Sequence, residues 1–253
     1  MKILVCIKQV PDLESRFKLN AAGTWYSEQD LAWRMNEYDE YAVEQAVQLK
    51  EQSGGELVVL SLGPERVREA LKKALAMGAD RGVHLQDDAS FAKDPSQIAA
   101  AIAAYAKDEQ FDVVFTGLQS QDRGSAQVGV LLAAALGLNA VTTIVDFSLA
   151  GSVATVKREL EGGVKAVVEV TLPALFTCQL GLNTPRYPTL PNIMKAKKKE
   201  IAALPVSVPE GRTTTLKTAY PEKKGGGLVL EGEVGALADQ LLALLKEKTA
   251  VLR

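Results

Sequence analysis

Through the first half of the chain, short runs of consecutive apolar residues alternate with stretches whose apolar positions recur every three or four residues. That pattern predicts a parallel sheet covered by helices. Ile3 to Val10 reads as the first strand. A helix is expected from Asn36, whose side chain can accept from an unpaired N–H at the helix start. Asp39 stands in a capping-box-like relation to it, and Tyr38, Ala42, Val43, Ala46 and Val47 form the apolar stripe. Glu56 to Leu62 reads as a second strand. Gly63-Pro64 follows, then a stripe through Val67, Ala70, Leu71, Ala74 and Leu75 that Gly78 stops. Arg81 to Gln86 and Phe111 to Thr116 are further strands, Ile98, Ile102 and Tyr105 mark a helix between them, and Ala126 to Leu136 forms another that ends at Gly137.

Beyond Ala140 the period changes to two, through Val164, Ala166, Val168, Val170 and Leu172 after the turn Glu161-Gly162-Gly163. This predicts a hairpin appended to the parallel sheet. From Gly181 to about Gly227 the chain is rich in proline, lysine and polar residues with little periodicity, too long for an ordinary connection. Such a segment is either disordered or lies on something else. A helical stripe returns in Val234 to Leu245, through Leu237, Leu241 and Leu244, so the second half is expected to be an arm ending in a docking helix. The division that follows is a nucleotide-binding α/β domain with its hairpin over residues 1–180, and an arm over 181–253.

Composition narrows the partners. A net charge of -2 over 253 residues, with 24% charged and 6% aromatic residues, gives no bulk attraction toward nucleic acid. No apolar run is long enough for a membrane span, and the opening run Ile3 to Ile7 is too short for a signal segment. Cys6 and Cys178 are far apart in sequence, and Cys6 falls inside an apolar run. Reduced thiols in a bacterial-type cytoplasm or a mitochondrial-matrix-like compartment are expected.

The loop after the strand Phe111 to Thr116 carries the strongest candidate chemistry. It runs Gly117, Leu118, Gln119, Ser120, Gln121, Asp122, Arg123, Gly124, Ser125, Ala126, Gln127, Val128, Gly129. A loop leaving the carboxyl edge of a parallel strand and entering a helix offers free N–H groups and the positive end of the helix dipole to a phosphate. Its glycines permit close approach, Gln119 and Asp122 can bond a ribose or base, and Arg123 can neutralise charge. The pattern matches neither the P-loop nor the dinucleotide fingerprint, and a structural glycine-rich turn is the alternative. Loops beginning near Cys6, Asn36 and Leu62 leave the same edge, where ligands of open α/β sheets lie. Catalytic groups are scarce: His84 is the one histidine and sits in a strand-like run, and neither a zinc spacing nor a nucleophile elbow is present.

The arm is more distinctive. Pro185, Pro188 and Pro191 restrict its conformations, Leu182, Tyr187, Leu190 and Ile193 offer apolar anchors, and the lysines from Lys195 to Lys199 can attract an acidic surface. Asn183-x-Pro185-Arg186-Tyr187-x-Thr189-Leu190-Pro191-Asn192-Ile193-Met194-Lys195 resembles the recognition loop of the electron-transfer flavoprotein β-subunit family. So do Val156-x-Arg158-x-x-Glu161-Gly162-Gly163 with Leu172-Pro173, Val5 to Asp12, Met35 to Asp39 and Ala74 to Asp80. The likeness weakens after Ile201.

The resemblance implies a Rossmann-like, adenine nucleotide α-hydrolase-like, doubly wound α/β fold and a heterodimer. A larger α-subunit holds most of an FAD and receives the docked arm of residues 181–253, and the β-subunit buries one structural AMP. It further implies an electron carrier without catalysis of its own, served by flavin dehydrogenases such as acyl-CoA dehydrogenases and delivering to a quinone oxidoreductase. By this likeness the nucleotide pocket comprises Cys6, Asn36, Glu37, Tyr38, Asp39, Leu62 and Gly117 to Val128. Partners are gripped by Leu182, Asn183, Pro185, Arg186 and Tyr187. Two features depart from relatives: Leu13 stands where many carry an aromatic residue near the flavin, and Arg123 occupies the second position of a motif that in bifurcating relatives binds a second FAD. Arg123 favours AMP by complementing a terminal phosphate. A stand-alone, stress-protein-like adenine nucleotide regulator would account for the first 140 residues but leaves the hairpin and the arm unexplained. A nucleotide-dependent ligase or kinase lacks the phosphate motifs.

Overall fold

In the computed structural model, residues 1–222 and 225–250 are described. Contacts group residues up to Lys217 into one compact unit and those from Thr218 onward into a second.

The first unit is built on a nine-stranded sheet. Its strands are β1 (Lys2–Cys6), β4 (Glu56–Gly63), β5 (Arg81–Gln86), β6 (Val113–Gly117), β7 (Asn139–Ala150), β8 (Val153–Glu159), β9 (Lys165–Thr171), β10 (Ala174–Cys178) and β11 (Ile201–Pro205). The order is β11-β5-β4-β1-β6-β10-β7-β8-β9, parallel from β11 through β7 and antiparallel over the last two. A separate antiparallel pair joins β2 (Gln9–Pro11) to β3 (Trp33–Met35). The expected first strand is thus two short strands, because after Cys6 the chain leaves the sheet to pair with Trp33–Met35.

Alternation along the strands sorts the core into two layers. Ile3, Val5, Leu57, Val59, Val113 and Phe115 face α1 (Glu37–Ser53) and α2 (Arg68–Met77). Leu4, Val58, Leu60 and Val114 face α3 (Pro95–Ala106) and α4 (Val128–Leu136). Helices on both faces make the sheet doubly wound and Rossmann-like. Asp94 starts α3 with a full capping box, its carboxylate accepting from Ser96 and Gln97 while Gln97 answers the Asp94 amide. Gly78 stops α2 as the sequence predicts.

Strand β10 was not legible in the pattern. It lies between β6 and β7, buried on both faces, and its phenylalanine joins Phe115 and Phe147 in a cluster with centroids 5.2–5.6 Å apart. The period-two stretch forms the β8–β9 hairpin, with Gly162 and Gly163 at φ of +72° and +77° in its turn. Glycine suits both positions, since other residues are strained there.

Residues 181–217, assigned to the arm by the sequence pattern, group with the first unit. α5 (Leu190–Ala196) packs on α2, and β11 extends the sheet beside β5. Downstream, Asp94 accepts from the amides of Arg212 (2.5 Å) and Thr213 (3.0 Å). Burial alone would raise this carboxyl, but the bonds from Ser96, Gln97, Arg212 and Thr213 hold it well below the usual carboxylate range. In the second unit α6 (Val234–Lys248) contains no buried residue, and Leu241 and Leu242 are exposed.

Candidate functional site

The chain runs from β1 outward to β4 and β5 on one side, then returns to β6 on the other. The sheet therefore has its switch point at β1 and β6, and a cleft opens at the carboxyl ends of these strands. The cavity within it measures about 170 Å³.

Its floor is organised by Asp39. Buried at the start of α1, its Oδ2 accepts from the Lys8 amide (2.6 Å), and its Oδ1 accepts from Asn36 Nδ2 (3.0 Å) and the Gly117 amide (3.1 Å). Burial pushes this carboxyl up to about 7, against the lowering effect of its three donors. One side chain thereby joins the loops that leave β1 and β6. A Cβ on Gly117 would fall on the Asp39 carboxylate and within 2.8 Å of Tyr38 Cβ, so only glycine fits this junction.

Asn36 precedes α1 as expected, but its side chain makes no cap bond. It donates instead to the Gln119 carbonyl (2.8 Å) and accepts from the Gln121 amide (3.0 Å). This corrects the cap reading. The half-buried backbone of the neighbouring loop needs partners, and Asn36 and Asp39 satisfy it in preference to the helix start. Gln121 Nε2 donates to Glu37 (2.8 Å), and Gln119 Nε2 lies 3.4 Å from the Tyr38 hydroxyl.

Of the residues singled out in the sequence, Cys6, Asn36, Asp39, Leu62, Gly117, Leu118, Gln119, Ser120, Asp122, Arg123, Ser125, Ala126, Gln127 and Val128 line the cleft. Glu37, Tyr38, Gln121 and Gly124 are not in its lining; they brace or turn the loop, Gly124 at φ +60° with its amide on the Ser120 carbonyl. Ala126 is held at φ +51°, which is strained for alanine. Beyond it the first-turn amides of α4 have no acceptor within the helix. Gly129 packs so closely that a Cβ would meet Thr116 Oγ1 at 2.7 Å. Burial pushes the Cys6 thiol up, which keeps it protonated and unreactive.

Several lining residues escaped the sequence reading. Lys8 Nζ bonds both Asp122 oxygens at 2.7 Å, and burial lowers its pKa despite that partner. The Arg66 guanidinium lies 3.6 Å from the Trp33 ring centroid, and its buried Nε and Nη1 are unpartnered, as is Gln9 Oε1 nearby. Arg123 stacks on Trp25 at 4.3 Å and donates to the carbonyls of Phe91 and Lys93 (3.3 Å to the latter), bridging the loop to that segment. The stretch holding Trp25 and Trp33 has no periodicity, so only tertiary folding brings it to the cleft. Lys8 lies two residues past β1, close enough to the strand end to have been noticed. His84 is buried in β5 with Nε2 2.8 Å from the Gly63 carbonyl, which makes Nε2 the protonated nitrogen. Among the described residues no group of three or more histidine, cysteine and carboxylate side chains could hold a metal, and no helix is long and apolar enough to cross a membrane.

The arm splits by environment. Leu182 is partly buried against the core layer of α1, and Asn183 and Arg186 are bonded to α1. Pro185 is half-buried, whereas Tyr187 is 92% and Leu190 78% exposed.

The doubly wound sheet and the cleft at its switch point place the protein in the Rossmann-like α/β class. The model of the electron transfer flavoprotein domain family matches residues 23–209. The chain is 36% identical to the electron transfer flavoprotein subunit beta of Bacillus subtilis over all of both chains. It is 37% identical to that of Syntrophomonas wolfei over 99% of this chain and 98% of the relative. It is 35% identical to the human subunit over 98% and 97%. The chain belongs to the electron transfer flavoprotein family, among its β-subunits.

Proposed function

We propose that this chain serves as the smaller subunit of a heterodimeric electron-transfer flavoprotein. Paired with a larger α-subunit that holds most of an FAD, it takes part in accepting electrons from flavin dehydrogenases, acyl-CoA dehydrogenases among them, and delivering them to a quinone oxidoreductase. The flavin supplies the redox chemistry when bound. The chain's own residues bind, orient and stiffen.

The observation that carries this reading is the junction at Asp39, where the loops from β1 and β6 and the start of α1 are fixed around one glycine-lined cleft. An adenine nucleotide suits it. The first-turn amides of α4, which have no acceptor within the helix, favour a phosphate, and the unpartnered Nε and Nη1 of Arg66 and Gln9 Oε1 offer further polar contacts. Arg123, expected to complement a terminal phosphate, instead donates to the carbonyls of Phe91 and Lys93, so the preference for AMP over a second FAD rests on the family likeness. AMP there would stabilise the fold and take no part in electron transfer. Leu182, Asn183, Pro185, Arg186 and Tyr187 form the element that receives dehydrogenases.

Co-expression with an α-subunit should yield a yellow complex of one copy of each. A colourless chain that is stable and monomeric by itself would contradict the reading.

A further inference from the structure

The exposed apolar side chains of the arm sit beside an anchor buried deeper than a surface loop requires. Glu44 on α1 has a side chain only 4% exposed, yet it is bonded chiefly to a residue of the arm far along the chain. Its Oε2 accepts from Arg186 Nε (2.8 Å) and from the Arg186 amide (3.1 Å). Its Oε1 accepts from Arg186 Nη2 (3.0 Å) and Gln48 Nε2 (2.8 Å). Glu51, two turns along α1, takes the other side of the guanidinium, from Nη1 at 2.6 Å and Nη2 at 3.0 Å. Asn183 Nδ2 adds a bond to the Tyr41 carbonyl (3.0 Å). The next residue, Tyr187, is almost wholly exposed.

We propose that Glu44 is a positioning residue for partner capture: with Glu51 it clamps Arg186 and so fixes the direction in which Tyr187 and Leu190 leave the domain. The inference rests on reading the arm as the dehydrogenase-binding element. A planar guanidinium engaged by two carboxylates and tied by its own amide loses nearly all rotational freedom. Flexible side chains must be ordered before they contribute to an interface, and a loop ordered in advance loses less entropy on binding. Arg186 therefore acts through the arm's geometry, for its guanidinium and amide are already bonded to α1, as is Asn183 Nδ2. Lysine cannot replace Arg186, because a single ammonium cannot meet both carboxylates in the plane that the guanidinium fills.

The test uses the assembled two-subunit flavoprotein as the varied substrate of an acyl-CoA dehydrogenase reduced by its own acyl-CoA. Arg186→Lys and Glu44→Gln should each raise KM about tenfold, a loss of about 1.4 kcal/mol in capture, with kcat, bound flavin and bound nucleotide unchanged. The double variant should do no worse than either single one, because the two side chains act as a pair. Arg186→Lys sits at the surface, so it decides the matter even if Glu44→Gln fails to assemble. Tyr187→Ala and Leu190→Ala separate the two levels of the claim. If they raise KM while Arg186→Lys does not, the clamp is overturned and the arm's role stands. If none of the variants moves KM, the arm is not the capture element and both fall. A fall in kcat or flavin content with KM unchanged also overturns the clamp.

Discussion

The cleft and the arm both hang on α1, and they use its two ends in opposite ways. At the amino end, Asn36 and Asp39 are buried and their bonds go to the loops after β1 and β6, so the polar groups are inside and the surface they build is concave. Farther along, Glu44 and Glu51 hold Arg186, while the apolar side chains of Tyr187 and Leu190 are left outside. A site for a small polar ligand needs buried, satisfied polar groups to hold its shape. A site for a protein needs apolar area in water before the partner arrives, on a support that does not move. One helix braces both surfaces, in the way the proposed function requires of each.

The largest effect is expected at Asp39. Asp39→Ala strips the acceptor from the Lys8 and Gly117 amides, leaving two part-buried donors unpaired, and takes one of the two acceptors of Asn36 Nδ2. A loss of about 3 kcal/mol in urea unfolding of the assembled flavoprotein is expected, with loss of bound nucleotide. A conserved response at the other end, partner KM, should move far less. The same residue gives a pH signature. Its pKa in the fold, about 7, lies above the ordinary 3.8, so its contribution to stability is fully present below the lower value and is lost as pH rises through the upper one. The unfolding midpoint of the wild type should therefore fall relative to that of Asp39→Asn across this window, and parallel profiles would place the charge elsewhere. At the arm the expected effect on the fold is smaller. Leu182 is only partly buried, so Leu182→Ala should cost about 1 kcal/mol and slow electron transfer from a dehydrogenase, with flavin and nucleotide content intact. Loss of FAD in that variant would move Leu182 from the partner site to the cofactor site.

How far the sequence could be read follows the same physics. Strands β1, β4, β5 and β6 and helices α1 to α4 were legible because each carries its own period, and the strand ends pointed to one edge where Cys6, Asn36, Leu62 and Gly117 do meet. β10 was hidden because five residues buried on both faces give no alternation, and its place between β6 and β7 is a long-range choice. α5 and β11 were lost in the arm for a related reason: a helix of seven residues and an edge strand of five are held by α2 and β5 more than by their own pattern. In the cleft, Trp25, Trp33 and Arg66 were missed because stacking between distant residues leaves no local trace. Asn36 was placed correctly and given the wrong bonds, since capping is a local rule and the half-buried loop beside it made the stronger demand.

On the function proposed above, the cleft holds a structural mononucleotide while the flavin belongs chiefly to the other subunit. Mass spectrometry of the nucleotides released by denaturing the assembled complex tests it most directly. The account predicts one FAD and one AMP per heterodimer. Two FAD and no AMP would contradict it.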